Sequence, residues 1–273
     1  MTWETIQRMT NRALHMTIDY YKLLLMFSAL VCVGLMVVAC KALALNSGAW
    51  AAISLQFLPV YVGTAVLMSA GIVLARVYHD EVRDREVDYK KILLGSWQVM
   101  LAAAYFTIPI ILVFLVFWMA LGFFYLVSQI PLIGQVLAVV LAFWPFLLNF
   151  AILLLVVASV IELFFVTPVL ALKGIDHLKV LQALKVRFVT DPFGQIMLLL
   201  LGMLPLIIVT SLLVLAGCLT CAMGFGSTHP FQAILQIFFV MVPVAAMLTP
   251  AMIFFFNLAV EAHVLSQSRL REQ

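Results

Sequence analysis

The chain has 273 residues, 66% of them hydrophobic and 10% charged, with a mean hydropathy of +1.20. Soluble domains are about half apolar and about a quarter charged, so a water-soluble globular domain is excluded. A formal net charge of +3 says little by itself; where the charges fall says much more.

Apolar runs fall near residues 23–45, 51–75, 92–127, 136–172, 196–223 and 233–260. Each exceeds the roughly 20 residues that cross about 30 Å of hydrocarbon as a helix. None shows the two-residue alternation of barrel strands, so the backbone is expected to satisfy itself as helices. Of the 15 basic residues, all but Lys41 lie in the N-terminal arm, the second and fourth connections, or the tail. The connections 46–50, 128–135 and 224–232 carry no Lys or Arg. The positive-inside rule then puts both termini and the two basic connections in the cytoplasm, with six spans between them. A bacterial cytoplasmic (inner) membrane is the expected location. The fold class expected is an all-α integral membrane protein of six transmembrane helices, arranged as three hairpins with interfacial amphipathic helices.

In chain order, residues 3–20 come first. Trp3, Ile6, Met9, Ala13, Met16 and Tyr20 recur at steps of three and four, with Glu4, Arg8, Arg12, His15 and Asp19 opposite. This pattern predicts a helix in the cytoplasmic interface, leading into the first span. The 22 mostly polar residues before the first run argue against a simple export signal. "VVAC", ending at Cys40, matches a lipoprotein cleavage box poorly at Val38. The segment 79–91, "HDEVRDREVDYKK", offers Glu81–Arg85 and Glu86–Lys90 pairs at i,i+4 and reads as a solvated helical extension. Residues 176–190 are amphipathic again, and Asp191 with Pro192 forms a helix-start signal.

These polar segments each lead to an apolar hairpin that returns to a charged end: "ARVYHDE", "ALKGIDH" and "AVEAH". One membrane domain is expected over 1–273, with an interfacial helix at 1–22 and hairpins over 23–78, 79–172 and 173–273. The middle hairpin has arms of about 36 residues, roughly 55 Å as straight helices. Strong tilt, kinks at Pro109 and Pro145, or a hydrophobic section lying flat at the outer interface would absorb the excess.

"IPLIGQVLAVV", a long span, a basic amphipathic loop and then "ALKVRFVTDPFGQIMLLLLGMLPLI" are similar in layout to the CysZ-like sulfate permeases, over about residues 128–210. The repeated arrangement also resembles several uncharacterised bacterial polytopic membrane families. The resemblance to the permeases implies an anion-conducting membrane protein; none of that family's site residues carries over to a position here.

Glu162 is the one acidic residue inside "VVASVIELFFVTPVLALKG". It lies roughly 16 Å from the basic end at Lys173. A charge at such depth costs about 2.5–3.5 kcal/mol on insertion scales. Its helical face carries Ala151, Leu155, Ala158 and Ser159, and small residues there admit a close neighbour. Two readings stay open. Glu162 is an ion or proton relay with Ser159 and with Gln98, Asn149, Asn257 or Glu261 as candidate partners. Alternatively, it is a protonated acid bonded to carbonyls loosened by Pro168.

His79, His177 and His263 each sit where an even-numbered span reaches the basic end, without the tight spacing of a metal site. Cys218 and Cys221 form a CxxC near the far end of the fifth span, and Cys40 lies near that end of the first. A CxxC facing an oxidising compartment permits a thiol–disulfide relay, although cysteine is also an ordinary small apolar residue in spans. There is no phosphate-binding loop, nucleophile elbow or dinucleotide turn, so no enzyme motif and no cofactor is expected. No basic–aromatic surface points to nucleic acid. The leading functional expectation is a small-solute or ion transporter or channel-like protein with an interior acid. A non-catalytic scaffold or assembly partner and a membrane thiol oxidoreductase are the alternatives. The lipid bilayer is the expected partner, together with other membrane proteins or copies of the same chain.

Overall fold

The computed structural model describes residues 3–45, 47–83, 85, 87–130, 143–174, 180, 182, 184–185, 192–220 and 230–272. Seven helices can be bounded among them: α1 Trp3–His15, α2 Tyr20–Ala44, α3 Ala49–Val82, α4 Tyr89–Ser128, α5 Phe143–Lys173, α6 Pro192–Thr220 and α7 Pro230–Glu272. There is no strand among the described residues. The last six helices are each long and apolar enough to cross a membrane. The chain is an all-α polytopic membrane protein, as its hydropathy requires.

Local chemistry sets the ends. Asp19 caps α2 by accepting from the Tyr21 amide, and Asp88 caps α4 by accepting from the Lys91 amide at 3.2 Å. Gly174 stops α5 with a φ of +81°, a left-handed conformation that side chains other than glycine's resist. The solvated extension expected over 79–91 is shorter than its pattern implied. α3 ends at Val82, and Glu81 turns to Lys22 rather than Arg85. The amphipathic segment 176–190 falls largely outside the described residues, as do Asp191 and the turn following Ile130.

The six spans divide into inner and outer arms. Over the most apolar stretch of each span, 56, 44 and 39% of residues are buried in α3, α5 and α7, against 17, 11 and 11% in α2, α4 and α6. The second arm of each hairpin is therefore the inner one. The three inner arms touch one another pairwise. α2 lies against α3 and α7, and α4 against α3 and α5. α6 packs on α7 and reaches α5 as well: a β-carbon on Gly202 would stand 3.3 Å from the Phe164 ring and 3.4 Å from Phe255 and Leu258. Each outer arm thus leans on its own inner arm and on that of the preceding hairpin. This cyclic arrangement is the one expected of three related hairpins.

Burial is uneven along the inner arms. Ala70–Ala75, Glu162–Ala171 and Ala251–His263 are buried on every face. All three stretches lie toward the end of the bundle that carries the charges. The main apolar cluster sits there, with Phe164, Phe255 and Phe256 in edge-to-face contact. α1 adds to this end. Its apolar side chains Ile6, Met9 and Ala13 are buried, and their cover is α7.

Candidate functional site

Glu162 is positioned by the stripe of α5 that faces α3 and α4. Ile152, Leu155, Ser159, Glu162 and Val166 follow at steps of three and four, which places them along one side of the helix. At the top of the stripe, the Tyr61 hydroxyl of α3 donates to the Ile152 carbonyl at 2.7 Å. Tyr61 and Phe114 of α4 pack there with ring centroids 4.6 Å apart. Leu155 and Val156 join the same small cluster. Ten residues further along, roughly 15 Å toward the charged end, Glu162 is 8% exposed. Its Oε2 has no hydrogen-bond partner among the described residues. Ser159, one turn away and 2% exposed, spends its hydroxyl proton on the Leu155 carbonyl at 2.9 Å. Its oxygen lone pairs remain on the stripe that Glu162 shares.

None of the four partners considered for Glu162 hydrogen-bonds to its Oε2. Gln98 of α4 and Asn149 of α5 are exposed. Asn257 and Glu261 are brought together with one another, one turn apart on α7, and both turn to α1. The Asn257 Nδ2 donates to the carbonyls of Ala13 at 3.3 Å and Met16 at 3.4 Å. Glu261 Oε1 accepts from the Tyr78 hydroxyl at 2.7 Å and from Arg12 Nη1 at 3.4 Å.

These bonds belong to a second polar cluster that the sequence did not announce. Lys22, 1% exposed, donates to the Met16 carbonyl at 3.0 Å and pairs with Glu81. Its ammonium lies 5.7 Å from the centroid of the Tyr78 ring. The carbonyls at the end of α1 have no helical partner of their own and carry partial negative charge, so a buried ammonium and a buried amide satisfy them. Nearby, the Tyr89 hydroxyl donates to Asp19. Arg76 spans three helices. It donates to the Ala171 carbonyl at 3.0 Å, the Gly95 carbonyl at 3.0 Å and the Ser96 hydroxyl at 2.9 Å. α1, α3, α4, α5 and α7 are therefore cross-tied at the charged end. The signal in the sequence was weak: Lys22 and Arg76 stand at the edges of apolar runs, where a cation normally reaches back to water.

The remaining candidates separate. Cys218 is exposed and free, Cys40 is buried and free, and Cys221 lies outside the described residues. His263 is buried, His79 is half-buried and His177 is not described. No group of three or more His, Cys, Asp or Glu residues could hold a metal ion among the described residues. Comparisons with protein-family models, curated proteins and solved structures returned no match.

Proposed function

We propose that the protein moves a small solute or ion across a bacterial inner membrane, with Glu162 as the interior group that exchanges a proton or cation. The observation that carries this reading is a carboxyl oxygen buried without a hydrogen-bond partner among the described residues, in the one acidic residue of the long apolar stretch 92–172. Acids at membrane depth are expensive and are functional-site candidates by default. The cost of an ionised Glu162 disappears when it carries a proton or a bound cation, so occupancy and protein conformation are coupled there. The positive-inside rule favours a cytoplasmic position for the charged end and for both termini. In this reading the cross-ties around Glu261, Tyr78, Lys22 and Arg76 form the closed gate. The layout shared with the CysZ-like sulfate permeases favours an anion as the transported species, and the reading involves no enzymatic step.

A second reading, a non-catalytic scaffold, draws on the buried inner arms and on the exposed apolar face of the middle hairpin. Leu101, Tyr105, Ile108, Leu112, Met119 and Phe123 run along that face of α4. One experiment separates the two. Purified protein in proteoliposomes is assayed for sulfate uptake and for proton movement with an internal pH dye. Glu162→Gln is expected to abolish flux while leaving expression and melting temperature unchanged. Flux in the variant equal to wild type would remove Glu162 from the pathway. Absence of flux from wild type as well favours the scaffold.

A further inference from the structure

A groove of about 820 Å³ opens between α2, α6 and α7 in the half of the bundle away from the charges. That volume is in the range of small-molecule sites, roughly 300–1,000 Å³. Its walls are apolar, with Leu30, Val33 and Val37 on α2, Leu213 on α6 and Val240 and Val244 on α7. The base is tight. Gly34 of α2 meets α7 so closely that a β-carbon there would stand 2.9 Å from the Met241 sulfur. Beyond that contact the helices part, and Gly217 of α6 faces open space.

Among the described residues, the only Lys or Arg at this end lies on the groove's own stripe. Leu30, Val33, Val37 and Lys41 follow at steps of three, four and four along α2. Lys41 is exposed and has no ion-pair partner among the described residues. Counted out from the Gly34–Met241 contact, it stands level with Ile234 of α7, beside Ala233 in the groove wall. Lys22 and Lys41 are separated by 19 positions of one helix, roughly 28 Å, which is about the thickness of the hydrocarbon layer. With Lys22 at one boundary, Lys41 falls at the other, at the level of lipid head groups.

We propose that this groove is a binding site for an anionic phospholipid, its acyl chain lying between α2, α6 and α7 and its phosphate held by Lys41. The groove supplies the apolar slot and the lysine supplies the sign of the head group. A zwitterionic lipid fills the slot without gaining the charge. The proposal does not depend on the transport reading, because the groove does not include Glu162.

The test is lipid retention. Detergent-purified protein is equilibrated with phosphatidylglycerol and phosphatidylcholine of matched chains, and bound lipid is counted by native mass spectrometry. Wild type is expected to keep one phosphatidylglycerol in preference to phosphatidylcholine by about fivefold, the effect of one lysine near an anionic head group. Lys41→Gln is expected to equalise the two lipids. Gly217→Trp, whose side chain grows into the groove, is expected to displace both. Leu94→Trp, at an exposed position of α4 outside the groove, controls for size and is expected to behave as wild type. Equal retention of both lipids by wild type overturns the proposal. So does a preference that survives Lys41→Gln, and so does lipid that stays bound in a folded Gly217→Trp protein. A Gly217→Trp protein that melts early is replaced by Leu213→Trp, read the same way.

Discussion

The two halves of the inner arms contrast sharply. Toward the charges, Ala70–Ala75, Glu162–Ala171 and Ala251–His263 are buried all round and cross-tied by side chains. Toward the other end, the same helices show Phe146, Phe150, Leu153, Phe231 and Phe239 on the surface, and α2, α6 and α7 stand apart around a groove. Composition does not explain the difference, because both halves are apolar. Polar anchors do. Lipid chains are as apolar as leucine, so helices gain little by burying apolar faces against each other. What holds them is close packing at small residues and hydrogen bonds out of water's reach. The charged half has Gly71, Gly202, Asn257, Glu261, Tyr78, Lys22 and Arg76. In the other half, Tyr61 makes a comparable tie between inner arms, to the carbonyl of Ile152.

If that account is right, substitutions in the charged half are costly for stated reasons. The largest effect is expected from Lys22→Ala. Removing one partner of a buried pair costs about 3–5 kcal/mol; Glu81 keeps some solvent contact at 21% exposure, so the low end applies. The Met16 carbonyl also loses the shorter of its two donors, keeping the Asn257 amide. Unfolding in mixed micelles should show the loss directly, and an unchanged stability would mean that the cluster does not hold α1 in place. Gly71→Val comes next. A β-carbon at Gly71 would lie 2.4 Å from the Phe256 ring, and overpacking of this kind costs about 1–3 kcal/mol. Phe256 is 1% exposed and has nowhere to go. A well-folded, fully stable valine variant would show that α3 and α7 are farther apart than described.

Much of this was legible in the sequence, and the part that was not has a physical cause. The runs that read as spans are spans: 23–45 became Tyr20–Ala44, and 196–223 became Pro192–Thr220 among the described residues. Charge placement paired them into hairpins. Periodicity identified α1, with Ile6, Met9 and Ala13 on one side. It left open what covers that side, because an apolar face is the same whether lipid or α7 lies against it. The same ambiguity applies to Asn257 and Glu261, whose hydrogen bonds run to Ala13, Met16, Arg12 and Tyr78. They stood among the candidate partners of Glu162, but a sequence gives the face of a helix and not the helix opposite. Lys22 was invisible for a different reason. At the start of an apolar run, a lysine normally extends to the head groups, and only the fold turns it inward onto Met16 and Glu81. The groove left no trace at all, since its lining is as hydrophobic as the core.

The smallest expected effect is also the sharpest check on the contrast. Leu212 of α6 is 61% exposed and points to lipid in the folded protein. The unfolded helix in a membrane or micelle shows the same side chain to the same surroundings. Truncation therefore removes no burial, and Leu212→Ala should change unfolding free energy by no more than about 0.5 kcal/mol, as surface substitutions do. Leu198, on the same helix and fully buried, gives the reference: there Leu→Ala should cost about 2–5 kcal/mol. A loss at Leu212 approaching that at Leu198 would mean that the surface of α6 is covered by another protein or a second copy of the chain. The far half would then be an interface, and its openness would be that of a subunit seen without its neighbour.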